Sequence, residues 1–191
     1  MRKFITLIVA GLLALMSAVA LAATTTTYSQ KFTTTHPNRA TAMTLKWSTK
    51  AQPKTVTITF PANFPINPPK AGTKVGSGTA TFGNMPSRPV VAYSTGPGGM
   101  RLDVLNSVGV KYSMNVSYTH MGKAMVIHVP AFKIPPASLT SLSVTFKGGT
   151  VHRPFLLTPP YVKGGWRFTA TFAYQGHPTQ VLHFTSACVK H

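Results

Sequence analysis

A single carboxylate side chain bounds the chemistry open to this sequence. The chain has 191 residues, 19 Lys plus Arg, and one Asp plus Glu, which is Asp103. Acid–base hydrolysis by a carboxylate pair needs two acids, so the ordinary glycosidase and aspartic-protease mechanisms are excluded. A Ser-His-Asp triad would need Asp103 buried behind a histidine. In "RLDVL" Asp103 alternates with Leu102 and Val104, which predicts a surface acid on the strand's outer side, beside Arg101. A GxSxG nucleophile elbow is absent. The one cysteine, Cys188, could act as a thiol nucleophile only with a histidine at hand. His183 lies five residues away and has the opposite parity. Cys188 shares parity with Leu182 and Phe184, which predicts a buried, inert thiol. With one cysteine, no intramolecular disulfide can form. These residues predict a protein that is not an enzyme and carries no catalytic group.

Metal binding is the sharper alternative. "THMGKAMVIH" collects His120, Met121, Met125 and His128, and imidazole with thioether suits copper. Met125 is in step with Ile127 and Val129, so it is expected in the core, on the face opposite His128. The candidate metal set is therefore His120, Met121 and His128; the competing reading is a plain hairpin turning at "HMGK". "KVGSGTATFG" (74–83) looks at first like a phosphate cradle. A dinucleotide loop would want glycine at position 81 and a following helix. Position 81 is Thr, and "TATF" alternates as a strand. Gly76, Gly78 and Ala80 then form a small-residue stripe against which another backbone or an aromatic ring packs closely. Asn115-Val116-Ser117 matches the short N-glycosylation triplet. Trp47 and Trp166 share faces with core positions, whereas Tyr93 and Tyr161 are less committed. No cofactor is expected.

The elements that must hold these residues read as strand after strand. "MTLKW", "KTVTITF", "KYSMNVSYT", "MVIHV", "LSVTF", "WRFTATFAY" and "VLHFTSAC" all alternate with period two and are rich in Val, Thr and aromatics. Pro and Gly punctuate them, as in "MPSRP", "TGPGG", "KIPPAS" and "VKGG". "FPANFPINPP" (60–69) is too proline-rich for a central strand and predicts a crossover or an edge. So many one-sided strands predict an all-β fold: an antiparallel β-sandwich, immunoglobulin-like or related.

The N-terminus has the layout of a secretory signal peptide. Arg2 and Lys3 precede an apolar run, and Ala20-Leu21-Ala22 makes a small-x-small cleavage site. The expected organisation is a signal peptide over 1–22 and one domain over 23–191, with 23–27 frayed. No second long apolar run follows, so no transmembrane anchor is expected after cleavage. The basic residues are scattered, none beside another in the exported part. That diffuse cationic surface favours polyanions. For an exported protein these are anionic cell-wall polymer or a membrane surface; specific nucleic-acid recognition is not expected, because no reading module is present.

"KVGSGTATF", "PKTVTITFPANFPIN", "GGWRFTATFAYQG" and the terminal "FTSAC" together resemble a group of uncharacterised exported β-rich proteins of high-GC Gram-positive bacteria. The resemblance implies a secreted or envelope-associated β protein and no particular activity. In that pattern cysteines precede the "VGSG" and "GGW" phrases; here "PPKAGTKVGSG" and "PPYVKGGW" hold none, so Cys188 lacks the partner the pattern implies. Taken together, the expectation is a non-catalytic secreted or cell-surface protein with a structural or binding role at anionic envelope polymers; the alternative is an exported copper-binding protein.

Overall fold

Period-two alternation carries through into strands almost everywhere. The computed structural model describes residues 25–105, 111–118, 122–130, 138–147, 149–150 and 153–190. The strands are β1 (Thr26–Phe32), β2 (Met43–Thr49), β3 (Pro53–Phe64), β4 (Lys74–Phe82), β5 (Arg88–Gly96), β6 (Gly99–Leu105), β7 (Lys111–Tyr118), β8 (Gly122–His128), β9 (Leu139–Phe146), β10 (Gly149–Thr150), β11 (Arg153–Pro154), β12 (Trp166–Tyr174) and β13 (Gln180–Ser186). No helix occurs among the described residues. The expected all-β antiparallel class is what the structure has. Its layers belong to one continuous sheet of 11 strands, ordered β1-β2-β9-β4-β5-β6-β7-β8-β3-β12-β13, with β10 and β11 forming a separate two-stranded ribbon.

The middle of the sheet is a meander, β4 through β8, joined by antiparallel neighbours. β3 then pairs with both β8 and β12. The sheet curls until its two edge strands meet: Tyr28 of β1 lies 5.1 Å, ring to ring, from Phe184 of β13 and 6.0 Å from Phe172 of β12. The strands' inward side chains thus enclose one core, which includes Trp47, Ile58, Phe64, Leu102, Met125, Phe146, Trp166 and Phe172. Curling a sheet on itself buries one face of every strand and brings its two edge strands against each other. One end of the core is covered by the chain after β11, where Phe155 and Leu156 are fully buried. Leu156 bridges Ile66, and Leu157 bridges Ala40.

Three expectations need correcting. Of "FPANFPINPP", residues 60–64 are no crossover but continue β3 beyond its paired stretch: none of them pairs with β12 and only Phe64 pairs with β8, while 65–69 lie past the strand, with Ile66 bridging Leu156. Pairing breaks between Thr59 and Phe64, with Asn63 at φ 61°, so Pro61 sits where the ladder is already interrupted, and Pro65, Pro68 and Pro69 follow the strand's end. Thr26 and Thr27, expected to fray, already belong to β1, paired with Thr49 and Ser48. Cys188 is only half-buried: it lies past the end of β13 and packs on the rim of the core. His183 points outward, its Nδ1 3.1 Å from Thr169 Oγ1.

The glycine stripe is where the sequence placed it, and the close neighbour is a backbone. A Cβ on Gly78 would lie 1.9 Å from the Ser143 carbonyl oxygen of β9, and one on Gly76 would lie 2.6 Å from that of Thr145. These glycines permit β4 and β9 to approach where the sheet bends.

Candidate functional site

The outward face of β5, β6, β7, β8 and β3 gathers the polar residues with chemical potential. Alternation points Tyr93, Arg101, Asp103, Ser113, Asn115, His128 and Thr55 away from the core. Cross-strand register then sets Asp103 opposite Ser113, Arg101 opposite Asn115, and His128 between Asn115 and Thr55. Two shallow depressions lie on this face. One, about 200 Å³, is lined by Val91, Tyr93, Arg101, Asp103, Leu105 and Lys111. The other, about 230 Å³, is lined by Lys54, Thr55, Ser113, Asn115, His128, Val129 and Pro130.

Asp103 is not the surface acid that alternation predicts: it is only 4% exposed. It faces outward, but its neighbours cover it. Arg101 donates twice, Nε to Oδ1 at 2.8 Å and Nη2 to Oδ2 at 3.1 Å. Ser113 Oγ donates to Oδ1 at 2.8 Å, and Lys111 Nζ lies 3.5 Å from Oδ2. Burial, the largest single influence, raises the carboxyl's pKa. The hydrogen bonds from Arg101 and Ser113 and the charges of Arg101 and Lys111 together outweigh it and hold the group below the ordinary carboxylate range. The Arg101 guanidinium also lies 6.0 Å from the centre of the Tyr93 ring. A carboxylate held this way is a fixed anion that orders two cations. Among the described residues its hydrogen-bond and ion-pair partners are Arg101, Ser113 and Lys111, none of them a histidine.

Of the metal candidates, His128 is exposed at the end of β8, in the second depression. His120 and Met121 lie outside the described residues. Met125 is fully buried in the core, as its parity predicts. The seven residues of β8 separate Gly122 from His128 by about 20 Å of extended chain. Among the described residues, no group of three or more His, Cys, Asp or Glu comes together. Trp47 and Trp166 are fully buried, and Trp166 Nε1 donates to the Pro160 carbonyl at 2.9 Å.

The companions of His128 and Asp103 escape sequence reasoning because they come from other strands. Ser113 has no motif around it, and Asn115 stands out only in the glycosylation triplet. Lys54 and Thr55 reach the site across β8. Each of the three strands announces its outward face, but which residues become neighbours depends on register.

Exposed cations surround this face and both ends of the sheet. Lys50, Lys54 and Lys111 lie at one end; Lys74, Lys147, Lys163 and Lys190 lie at the other. Among the described residues no helix is long and apolar enough to cross a membrane. No protein-family model matches the chain, and no curated protein or solved structure matches it.

Proposed function

We propose that this is a non-catalytic exported β protein that binds anionic polymers of the cell envelope. The observation that carries the reading is charge: 19 Lys and Arg stand against one side-chain carboxylate, and that carboxylate is already engaged by Arg101 and Lys111. The net charge is therefore strongly positive, which raises the local concentration of a polyanion and retains it. The rigid ladder of paired strands supports a binding role, because the outward side chains are displayed from a framework that does not need to move. The signal-like N-terminus and the resemblance to exported β-rich proteins support an extracytoplasmic site of action.

Retention on isolated cell wall tests the reading. The protein is expected to stay bound at low ionic strength and to be released progressively as salt rises, because screening shortens the reach of surface charge from about 30 Å at 0.01 M to about 3 Å at 1 M. Elution in low-salt buffer would refute it.

A further inference from the structure

We infer that the depression between β3, β8 and β7 is a subsite for one repeat unit of such a polymer: an anionic phosphate group flanked by the hydroxyls of a polyol or sugar. The inference rests on the polyanion reading above and adds a location and a chemistry to it. Thr55, His128 and Asn115 stand in one row across three adjacent, hydrogen-bonded strands. Strands are spaced about 4.8 Å apart, so the row spans about 10 Å. That length exceeds a lone phosphate and matches a phosphate together with its neighbouring polyol or sugar ring. The depression's volume of about 230 Å³ suits one such unit.

The side chains divide the work by type. Lys54 brings an ammonium at one side of the row, Asn115 brings an amide with both donors and an acceptor, and Thr55 brings a hydroxyl. Ser113 is special. Its one proton is given to Asp103 Oδ1, so toward the depression it can only accept, which selects a hydroxyl donor on the ligand over a second anion. No carboxylate lines the depression, and the nearest one, Asp103, is covered and ion-paired on the next strand. Val129 and Pro130 add an apolar side wall against which the C–H face of a ring can rest. The framework is fixed: Val129 N donates to the Lys54 carbonyl at 3.0 Å, and Gln52 Nε2 donates to the Pro130 carbonyl at 2.8 Å. The β3 and β8 side of the depression is thus held before a ligand arrives, and Ser113 on β7 is held by Asp103, so little ordering is required on binding.

The test is a titration of the ¹⁵N-labelled exported protein with glycerol phosphate and with a short poly(glycerol phosphate) oligomer, followed by amide shifts. The expected result is a set of saturable shifts confined to β3, β7, β8 and residues 129–130. Asn115→Ala should weaken oligomer binding about tenfold, since a lost hydrogen bond to a charged group is a loss of that order. Thr55→Val, which changes a second outward residue of the row without touching the core, should weaken it as well. Lys190→Ala, at the opposite end of the molecule, should leave the local shifts unchanged. Shifts spread evenly over the basic surface, with Asn115→Ala and Thr55→Val matching the parent, would overturn the subsite while leaving retention by charge intact. Loss of wall retention in the parent protein would overturn the polyanion reading itself. Binding to anionic phospholipid vesicles, with no response to the oligomer, would replace the polymer with a lipid surface and overturn the subsite too.

Discussion

Two residues test the structure most directly. Gly78 faces the backbone of β9 with no room for a side chain, so Gly78→Val must push two hydrogen-bonded strands apart. The expected cost is about 3 kcal/mol, the upper range of overpacking, read as a lowered midpoint in urea with polymer binding retained in the folded fraction. An unchanged midpoint would show that β4 and β9 do not approach as described. Asp103 is the second. Asp103→Asn removes the anion that orders Arg101 and Lys111 but keeps a hydrogen-bonding side chain of the same size. Both cations are half exposed, at 42% and 50%, so water compensates much of the lost attraction and the expected cost is about 1 kcal/mol. A loss of several kcal/mol would mean that the pair is far less hydrated than its exposure indicates.

At the level of the elements, the weak point is the seam between β1 and β13. Each has a hydrogen-bonded neighbour on one side only, β2 and β12 respectively. Between the strands themselves the seam is closed by rings and hydroxyls, and one backbone bond, Val189 N to the Thr35 carbonyl at 3.1 Å, joins the chain beyond their ends. Tyr28 packs on Phe184 and Phe172, Phe184 stacks on Phe168 at 5.0 Å, and Tyr174 Oη lies at hydrogen-bond distance from Thr26 Oγ1 and Thr49 Oγ1. Side-chain closure gives up locally more readily than a ladder does. Native-state hydrogen exchange should therefore find the amides of β1 and β13 opening before those of β3, β8 and β12, which are paired or packed on both sides. Equal protection across all of these strands would contradict a seam without backbone pairing. Phe172→Ala removes a ring that touches both Tyr28 and Trp47, with an expected cost of about 4 kcal/mol and faster exchange along β1. The aromatic pattern of these strands is legible in the sequence; that β1 and β13 face each other is not, because they stand at opposite ends of the chain and share no local signal.

For the whole molecule, the near-absence of carboxylates sets the response to acid. Acid unfolding comes mostly from protonating carboxylates that are paired in the native state, and here there is one. Asp103 has a folded pKa below its unfolded value. Its contribution is present above the ordinary carboxylate range and is lost as pH falls through the folded value. The melting temperature should therefore change little from about pH 5, below the range in which histidines ordinarily gain charge, to about pH 4, where an ordinary carboxylate would begin to titrate, and should drop only at lower pH, as Asp103 protonates. A steep loss near pH 4 would refute this. Asp103→Asn should flatten even the low-pH drop, since no side-chain carboxylate then remains to titrate.

The sequence by itself determined the class of structure and the sign of the surface. Alternation, turn residues and charge are local or additive properties, so Ile58, Leu102, Met125 and Phe172 were assignable to the core, and an excess of cations to the molecule, without coordinates. The small-residue stripe at Gly76 and Gly78 was legible for the same reason, since only glycine tolerates a backbone that close. Tertiary structure decided what depends on partners far away in the chain. It made one curled sheet of the strands, carried β3 on through "FPANF" with its ladder interrupted, and left Cys188 half-buried at a rim. It also covered Asp103 with Arg101, Ser113 and Lys111, and set Lys54, Thr55 and Asn115 around His128. Those outcomes follow from register, and a strand's own residues specify which face it buries but not which strand lies beside it.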